Sequence, residues 1–359
     1  MKKTFLLFVV FQFAFFGFSQ TVGQKLLIPD IEGFKTLKCD FHMHTIYSDG
    51  KVTPEERVNE AKREGIDAIA ITDHLEFQLL RTFFGGDLNR PFNRALKTSR
   101  DSGVILIRGT EITRTMPPGH FNALFLTNIN KLKRWRFLNA IHEARKQGAY
   151  IQWNHPAWKS QIHDSVRMYS VHKKMIEDNL LDAMEIVNDV DYYPIVFNWC
   201  LDNNKTIIGN SDVHKSTESE WRISAGGHRP MTLVFADSLT ENSIKAALFA
   251  GRTVVWQRDN LYGKQEWLAS LYYASVIVTD LKRNGEYFSL SLENKSDIPF
   301  DLLCDYTTTA IRIPSRGKNS LNITLPEPML TKQNFVNCTV KNCFINPEKN
   351  LVVKFPIVP

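Results

Sequence analysis

Cys39-Asp-Phe-His-Met-His-Thr45, followed closely by Ser48-Asp-Gly50, is the stretch on which the fold turns. Alternate side chains of a β-strand share a face, so His42 and His44 project together while Phe41 and Met43 point the other way. Two imidazoles converging from one strand end make half of a metal site. Taken alone, His-x-His is a weak signal. Its weight depends on where the remaining histidines and acids fall.

Outward from this stretch, between about residues 35 and 255, short β-rich runs alternate with helical ones. The predicted strands are Leu37–His42, Ile66–Ile71, Gly103–Ile107, Phe121–Leu126, Ala149–Trp153, Asp182–Ile186, Lys205–Ile208 and Met231–Phe235. Helical patterns fill Pro54–Glu64, Lys131–Gln147, Val166–Asn179 and Thr240–Ala250. The first of these has good start chemistry: Thr53 to cap, Pro54 in the first turn and Glu56 at the capping-box position. So many β-α repeats predict a parallel sheet wrapped into a barrel under a layer of helices. Residues 75–100, with Phe83-Phe84-Gly85-Gly86 near the middle, read as a long loop over one end.

Nearly every predicted strand ends in a potential ligand. The first leads to His42 and His44, the second to Asp73-His74 and the third to Glu111. His120 opens the fourth, His155 follows the fifth, and Asp212 and His214 follow the seventh. In β/α barrels the functional groups gather at the rim where strands end, so these residues are expected to meet in space. Six of the ten histidines fall at such points. His142 and His172 lie within helical patterns and read as structural, while His228 has no assigned role.

Lys2 and Lys3 precede an apolar run from Phe5 to Phe18, with Gly17 and Ser19 where a signal peptidase would cut. Residues 1–20 therefore read as a cleavable signal, too short to span a bilayer, and the protein as periplasmic or secreted without a membrane span. The chain carries 44 basic and 38 acidic residues spread along its length, with no clustered basic face of the kind nucleic acid demands. Of its five cysteines, Cys39 and Cys200 sit in apolar segments and read as buried thiols. Cys304, Cys338 and Cys343 leave room for one disulfide whose pairing stays open.

After a barrel domain spanning residues 21–265 the pattern changes. A short connecting helix over 266–275 gives way to β-alternation in Val276–Val278, Tyr287–Leu292, Phe300–Leu303, Ala310–Ile313, Leu321–Leu325, Val336–Val340 and Leu351–Phe355. Short strands at regular spacing predict a small Ig-like β-sandwich over 266–359. It carries no histidine and no clustered acids, so no chemistry is assigned to it.

Histidine plus carboxylate without thiolate suits Mn, Zn or Fe. Nine candidate ligands are too many for one ion and suit two or three. Paired ions about 3.5–4 Å apart clamp the attacking and leaving oxygens of a phosphoryl centre and generate hydroxide near neutral pH.

His42-x-His44-Thr45, Ser48-Asp-Gly50, Thr72-Asp-His74, Gly109-Thr-Glu111, Gly119-His120, Asn154-His155-Pro156 and Gly209-Asn-Ser-Asp-Val-His214 resemble the successive motifs of the PHP (polymerase and histidinol phosphatase) superfamily. The resemblance spans roughly residues 35–255. It implies a distorted (β/α)7 barrel with a bi- or trinuclear metal centre that hydrolyses phosphoesters. Carried over, one ion would take His42, His44, Glu111 and Asp212, and a second would share Glu111 and add His120 and His155. A third would use Asp49, His74 and His214.

Glu111-Ile-Thr-Arg-Thr-Met-Pro-Pro-Gly-His-Phe-Asn122 and Met231-Thr-Leu-Val-Phe through Gly251-Arg-Thr-Val-Val255 also look like exported phosphodiesterases of the Sb-PDE type. That likeness implies a small phosphodiester substrate. Arg114, close after Glu111, is the expected phosphate-contacting cation, and Asp73 the expected group to orient His74 or relay a proton. Lys159 and His163 are expected on the same rim. Competing readings are a phosphomonoesterase, a 5′–3′ exonuclease and an exported ligand- or metal-binding protein.

Overall fold

The computed structural model describes residues 26–78, 85–133, 136–162, 164–326 and 334–357. The expected signal segment and His163 lie outside them, as do Phe83 and Phe84. No helix among the described residues is long and apolar enough to cross a membrane.

Eight strands build the barrel: β1 (Lys35–Asp40), β2 (Ala68–Ile71), β3 (Ile105–Ile112), β4 (Phe121–Leu124), β5 (Tyr150–Trp153), β6 (Ala183–Asn188), β8 (Thr206–Asn210) and β9 (Met231–Ala236). A two-residue β7, Asp191–Tyr192, folds back on β6. β1, β2 and β3 run parallel, as do β5, β6 and β8, whereas β4 and β9 are antiparallel to their neighbours. The reversals at β4 and β9 distort the barrel, and antiparallel β9 brings the strands to eight where seven are expected. Helix α1 (Pro54–Glu64) starts as its sequence requires, with Thr53 Oγ1 accepting from Glu56 N, and stops at left-handed Gly65.

One expectation fails in the 75–100 stretch. Arg90–Ser102 is a helix, α2, packed on α1 and β3, so the loop is much shorter than its sequence suggests. Only Pro91, Ala95 and Ser99 of this helix are buried, which leaves a thin apolar stripe amid charge.

The ring closes where β1 runs on past its last paired residue. Met43 bridges Val213 in parallel, His44 N donates to Val213 O at 3.0 Å, and Asp212 N donates to His42 O at 2.9 Å. At the other end β8 diverges from β9 and packs near β10 (Thr253–Gln257). Hydroxyls fill that gap: Thr232 Oγ1 donates to Gly209 O and Thr253 Oγ1 to Ile207 O, both at 2.8 Å. Gly209 permits this approach, since a Cβ there would stand 2.3 Å from Val255 Cγ1.

Buried charges lock the closure from outside the ring. Arg57 of α1 donates to the carbonyls of His44, Lys215 and Val213 and to Glu60. Arg229, fully buried, pairs with Glu64 through two nitrogens and with Asp40, which also accepts from Ser211 and from His42 N. A buried arginine is stable only when its donors are met, and here they tie α1, β1 and the segment after β8 together.

The seven expected C-terminal strands form, as β12 (Val276–Asn284), β13 (Tyr287–Asn294), β14 (Phe300–Cys304), β15 (Ile311–Ile313), β16 (Lys318–Thr324), β17 (Phe335–Asn346) and β18 (Lys349–Pro356). One sheet pairs β12, β13 and β16; the other pairs β15, β14, β17 and β18. Alternating burial, as in β13, sends Phe288, Leu290 and Leu292 inward against Phe300, Leu302, Val340 and Val353. Cys304 and Cys338, opposite one another on β14 and β17, form a disulfide, and Cys343 is a buried free thiol. β17 also pairs in parallel with β11 (Asn260–Gly263), so barrel and sandwich share one continuous sheet. The helix Gln265–Ser275, at the expected connection, buries Leu268, Leu271 and Tyr272 in the common core.

Candidate metal centre

All nine sequence-predicted ligands meet at the barrel mouth, linked through three carboxylates. Glu111 lies at the centre. Its Oε1 is 3.0 Å from His120 Nδ1, 3.5 Å from His42 Nε2 and 3.6 Å from His155 Nε2. Its Oε2 is 2.6 Å from His74 Nδ1 and 3.8 Å from His44 Nε2. Asp212 approaches His44 and His42 at 3.0 and 3.1 Å, and His155 and His214 at 3.8 and 3.9 Å. Asp49 stands 3.3 Å from His74, 3.4 Å from His214 and 3.6 Å from His44.

Local backbone explains the convergence. His155 and Asp212 have φ of 30° and 52°, a left-handed region that non-glycine residues occupy only when their surroundings enforce it. Gly50 lets the loop bearing Asp49 fold onto His44: Gly50 N donates to Thr45 O at 3.0 Å, and a Cβ would lie 2.5 Å from the His44 carbonyl.

A second layer of groups fixes the imidazoles. His42 Nδ1 faces Glu185 Oε1 at 3.1 Å, which turns Nε2 toward Glu111 and Asp212. Glu185 also accepts from His155 N at 2.8 Å and from Asn188 and Asn210 at 2.9 Å. His214 Nδ1 faces Asp212 O at 2.7 Å, directing Nε2 to Asp49. Gln161 holds His120 Nε2, and Asn154 donates to Glu111 at 3.0 Å.

Asp73 is placed differently from expectation. Its carboxylate accepts from Thr45 N, Thr45 Oγ1 and Ser48 Oγ, each at 2.7 Å, and Ser48 Oγ lies 3.3 Å from His44 Nδ1. It therefore braces the 45–48 loop and acts through Ser48 on His44, not on the neighbouring His74. Arg114 forms an ion pair with Glu76 and donates to Thr113 O at 2.7 Å. Lys159 is exposed and His142 lies exposed on a helix, α3 (Phe137–Lys146). His172 is buried with its ring tilted against Trp153, while His228 is spent on the carbonyls of Arg229 and Arg258.

The electrostatics suit cations. His44 is pushed down to about 3, burial being the largest cause and the charges of His74 and His214 adding to it, so its nitrogens stay free of extra protons. Burial alone would raise Glu111, but His74 and His120 outweigh it and hold the carboxylate well below its ordinary range. Burial would likewise lower His74, yet Glu111 and Asp49 lift it to about 10. His44 Nε2, Asp49 Oδ1, His120 Nδ1 and Asp212 Oδ1 are buried atoms that face ion-pair partners within the set but make no hydrogen bond of good geometry. Within the set, His44, Asp49, His74 and His214 can each offer an atom to one position, as can His42, Glu111 and His155, and His42, His44 and Asp212. Such a donor set fits divalent cations.

Sequence reasoning missed Glu185. Its signal was an acid inside the apolar run Ala183–Val187 of a fully buried strand, where only a partnered carboxylate is stable.

Fold and site define a β/α-barrel protein built around clustered metal-ligating side chains. Residues 40–207 match the PHP domain, and residues 276–356 match an Ig-like domain. A two-domain protein of Bacteroides vulgatus ATCC 8482, described as containing a predicted PHP-like metal-dependent phosphoesterase, is 34% identical. The match covers 93% of this chain and 98% of that one, with a TM-score of 0.87. The chain belongs to the PHP family. An uncharacterized protein of Methanocaldococcus jannaschii is 36% identical over 81 residues, which span 23% of this chain and 36% of that protein.

Proposed function

We propose that this protein is a metal-dependent phosphoesterase that hydrolyses small phosphodiesters, using two or three divalent ions of Mn, Zn or Fe. The observation that carries the reading is the meeting of six imidazoles and three carboxylates at one mouth, with Glu111 within 3.8 Å of five of the imidazoles. When bound, such ions polarise phosphoryl oxygens and lower the pKa of water toward neutrality. His42, His44, Glu111 and Asp212 would hold one position, with His120 and His155 extending it around Glu111, and Asp49, His74 and His214 would hold another. Glu185 and the Asp73–Ser48 pair keep His42 and His44 in the tautomers that present Nε2.

Diester preference is supported by the likeness of Glu111–Asn122 and of Met231–Val255 to phosphodiesterases of the Sb-PDE type. We also propose export: the charged and apolar pattern of residues 2–18 supports it, as does the Cys304–Cys338 disulfide, which persists in oxidising compartments.

The test is turnover of bis(p-nitrophenyl) phosphate and p-nitrophenyl phosphate by purified protein with metals titrated in. Faster diester turnover is the expected result. Monoester-only turnover overturns the diester reading, and no turnover in metal-replete protein makes the chain a binder. His44→Ala and Asp212→Ala should each abolish activity in folded protein.

A further inference from the structure

Two exposed aromatic side chains stand beside the cluster. Phe77 is 48% exposed and its ring meets His74 edge-on at 6.2 Å. Trp158 is 38% exposed and contacts His155 at 5.2 Å and His120 at 6.1 Å. His74 and His120 are themselves 6.0 Å apart, so Phe77, His74, His120 and Trp158 form one continuous aromatic arc. The other side of the mouth is polar, built from Asp212, His214 and Asp49.

We infer that this arc is the seat of an apolar, preferably aromatic, ester arm of the substrate. The inference rests on the phosphodiesterase reading and adds to it the class of diester. Phosphoryl oxygens held among the imidazoles leave an ester arm extending a few bonds outward, on the scale of the 5.2–6.2 Å that separates these rings from the cluster. Phe77 and Trp158 supply apolar faces where an arm can shed water, and planar groups stack best on such faces. A carbohydrate or glycerol arm would instead ask for hydrogen-bond partners that these two side chains do not supply along the arc, Trp158 having its indole N–H alone.

The experiment compares diphenyl phosphate with dimethyl phosphate, titrated calorimetrically into metal-loaded wild-type, Phe77→Ala and Trp158→Ala proteins. Both phosphates carry one negative charge, so the comparison isolates the arms. Wild type should bind the diphenyl compound at least about tenfold more tightly, and each variant should lose about three- to tenfold more affinity for it than for dimethyl phosphate. Equal wild-type affinities, or a preference that survives both variants, overturn the inference. Turnover of bis(p-nitrophenyl) phosphate in the same preparations reports on the parent reading separately. Aryl preference without turnover keeps the arc and sinks the hydrolase; turnover without aryl preference does the reverse.

Discussion

Glu185→Gln is the sharpest perturbation of the layer behind the metal centre. Glu185 is fully buried, and each of its four partners is a donor: His42 Nδ1 and Asn210 on Oε1, His155 N and Asn188 on Oε2. A glutamine of equal size offers one acceptor oxygen and one NH2, so either orientation sets two donors against a third. Each buried donor left unmet costs about 1–3 kcal/mol, which puts the loss of stability for the two on the order of 2–6 kcal/mol. His42 also loses the carboxylate that fixes its tautomer, a change that typically lowers metal affinity about 10–100-fold. Chelator competition with zinc or manganese, run beside thermal melting by circular dichroism, measures both quantities. Metal affinity within twofold of wild type in a folded variant would refute the role given to Glu185.

Arg229→Met should destabilise by about 3–5 kcal/mol, because Glu64 and Asp40 would remain buried without their counter-ion; denaturant melts check it. Acidification should weaken the fold through His172, which burial pushes down to about 4 from an ordinary 6.5. The unfolded chain takes up this proton first, so the stability is complete above pH 6.5 and lost as pH falls toward 4, a change on the order of 3 kcal/mol. The difference between wild-type and His172→Gln melts across that range isolates this residue from the histidines of the mouth. Replacing both Cys304 and Cys338 by serine should cost about 3–4 kcal/mol, since the bridge closes a loop of 34 residues, and reductant should lower the melting temperature of wild type but not of the variant.

The barrel strands were legible because β/α periodicity and turn residues agree at each of them, and the ligands because they recur at strand ends. Helix Arg90–Ser102 was not, because its buried stripe of Pro91, Ala95 and Ser99 is too weakly apolar to register as periodicity. Arg57, Arg229 and Glu185 were missed for a common reason. Charged residues read as surface until their partners, brought from as far as 189 positions away, are seen beside them. The Asp73 carboxylate shows the limit of adjacency: it is next to His74 in the chain, yet its bonds go to Thr45 and Ser48, 28 and 25 residues earlier. Nor does any local pattern encode the β11–β17 pairing that fuses barrel and sandwich into one sheet, since Tyr262 and Phe344 meet only in the fold.

Elemental analysis of the purified chain, taken with and without Asp212→Asn, tests the central claim most directly. More than one equivalent of divalent metal per wild-type chain, reduced by the substitution, is the result expected if the carboxylates and imidazoles of the mouth share several cations. A metal-replete wild-type protein that retains one equivalent or none would contradict it.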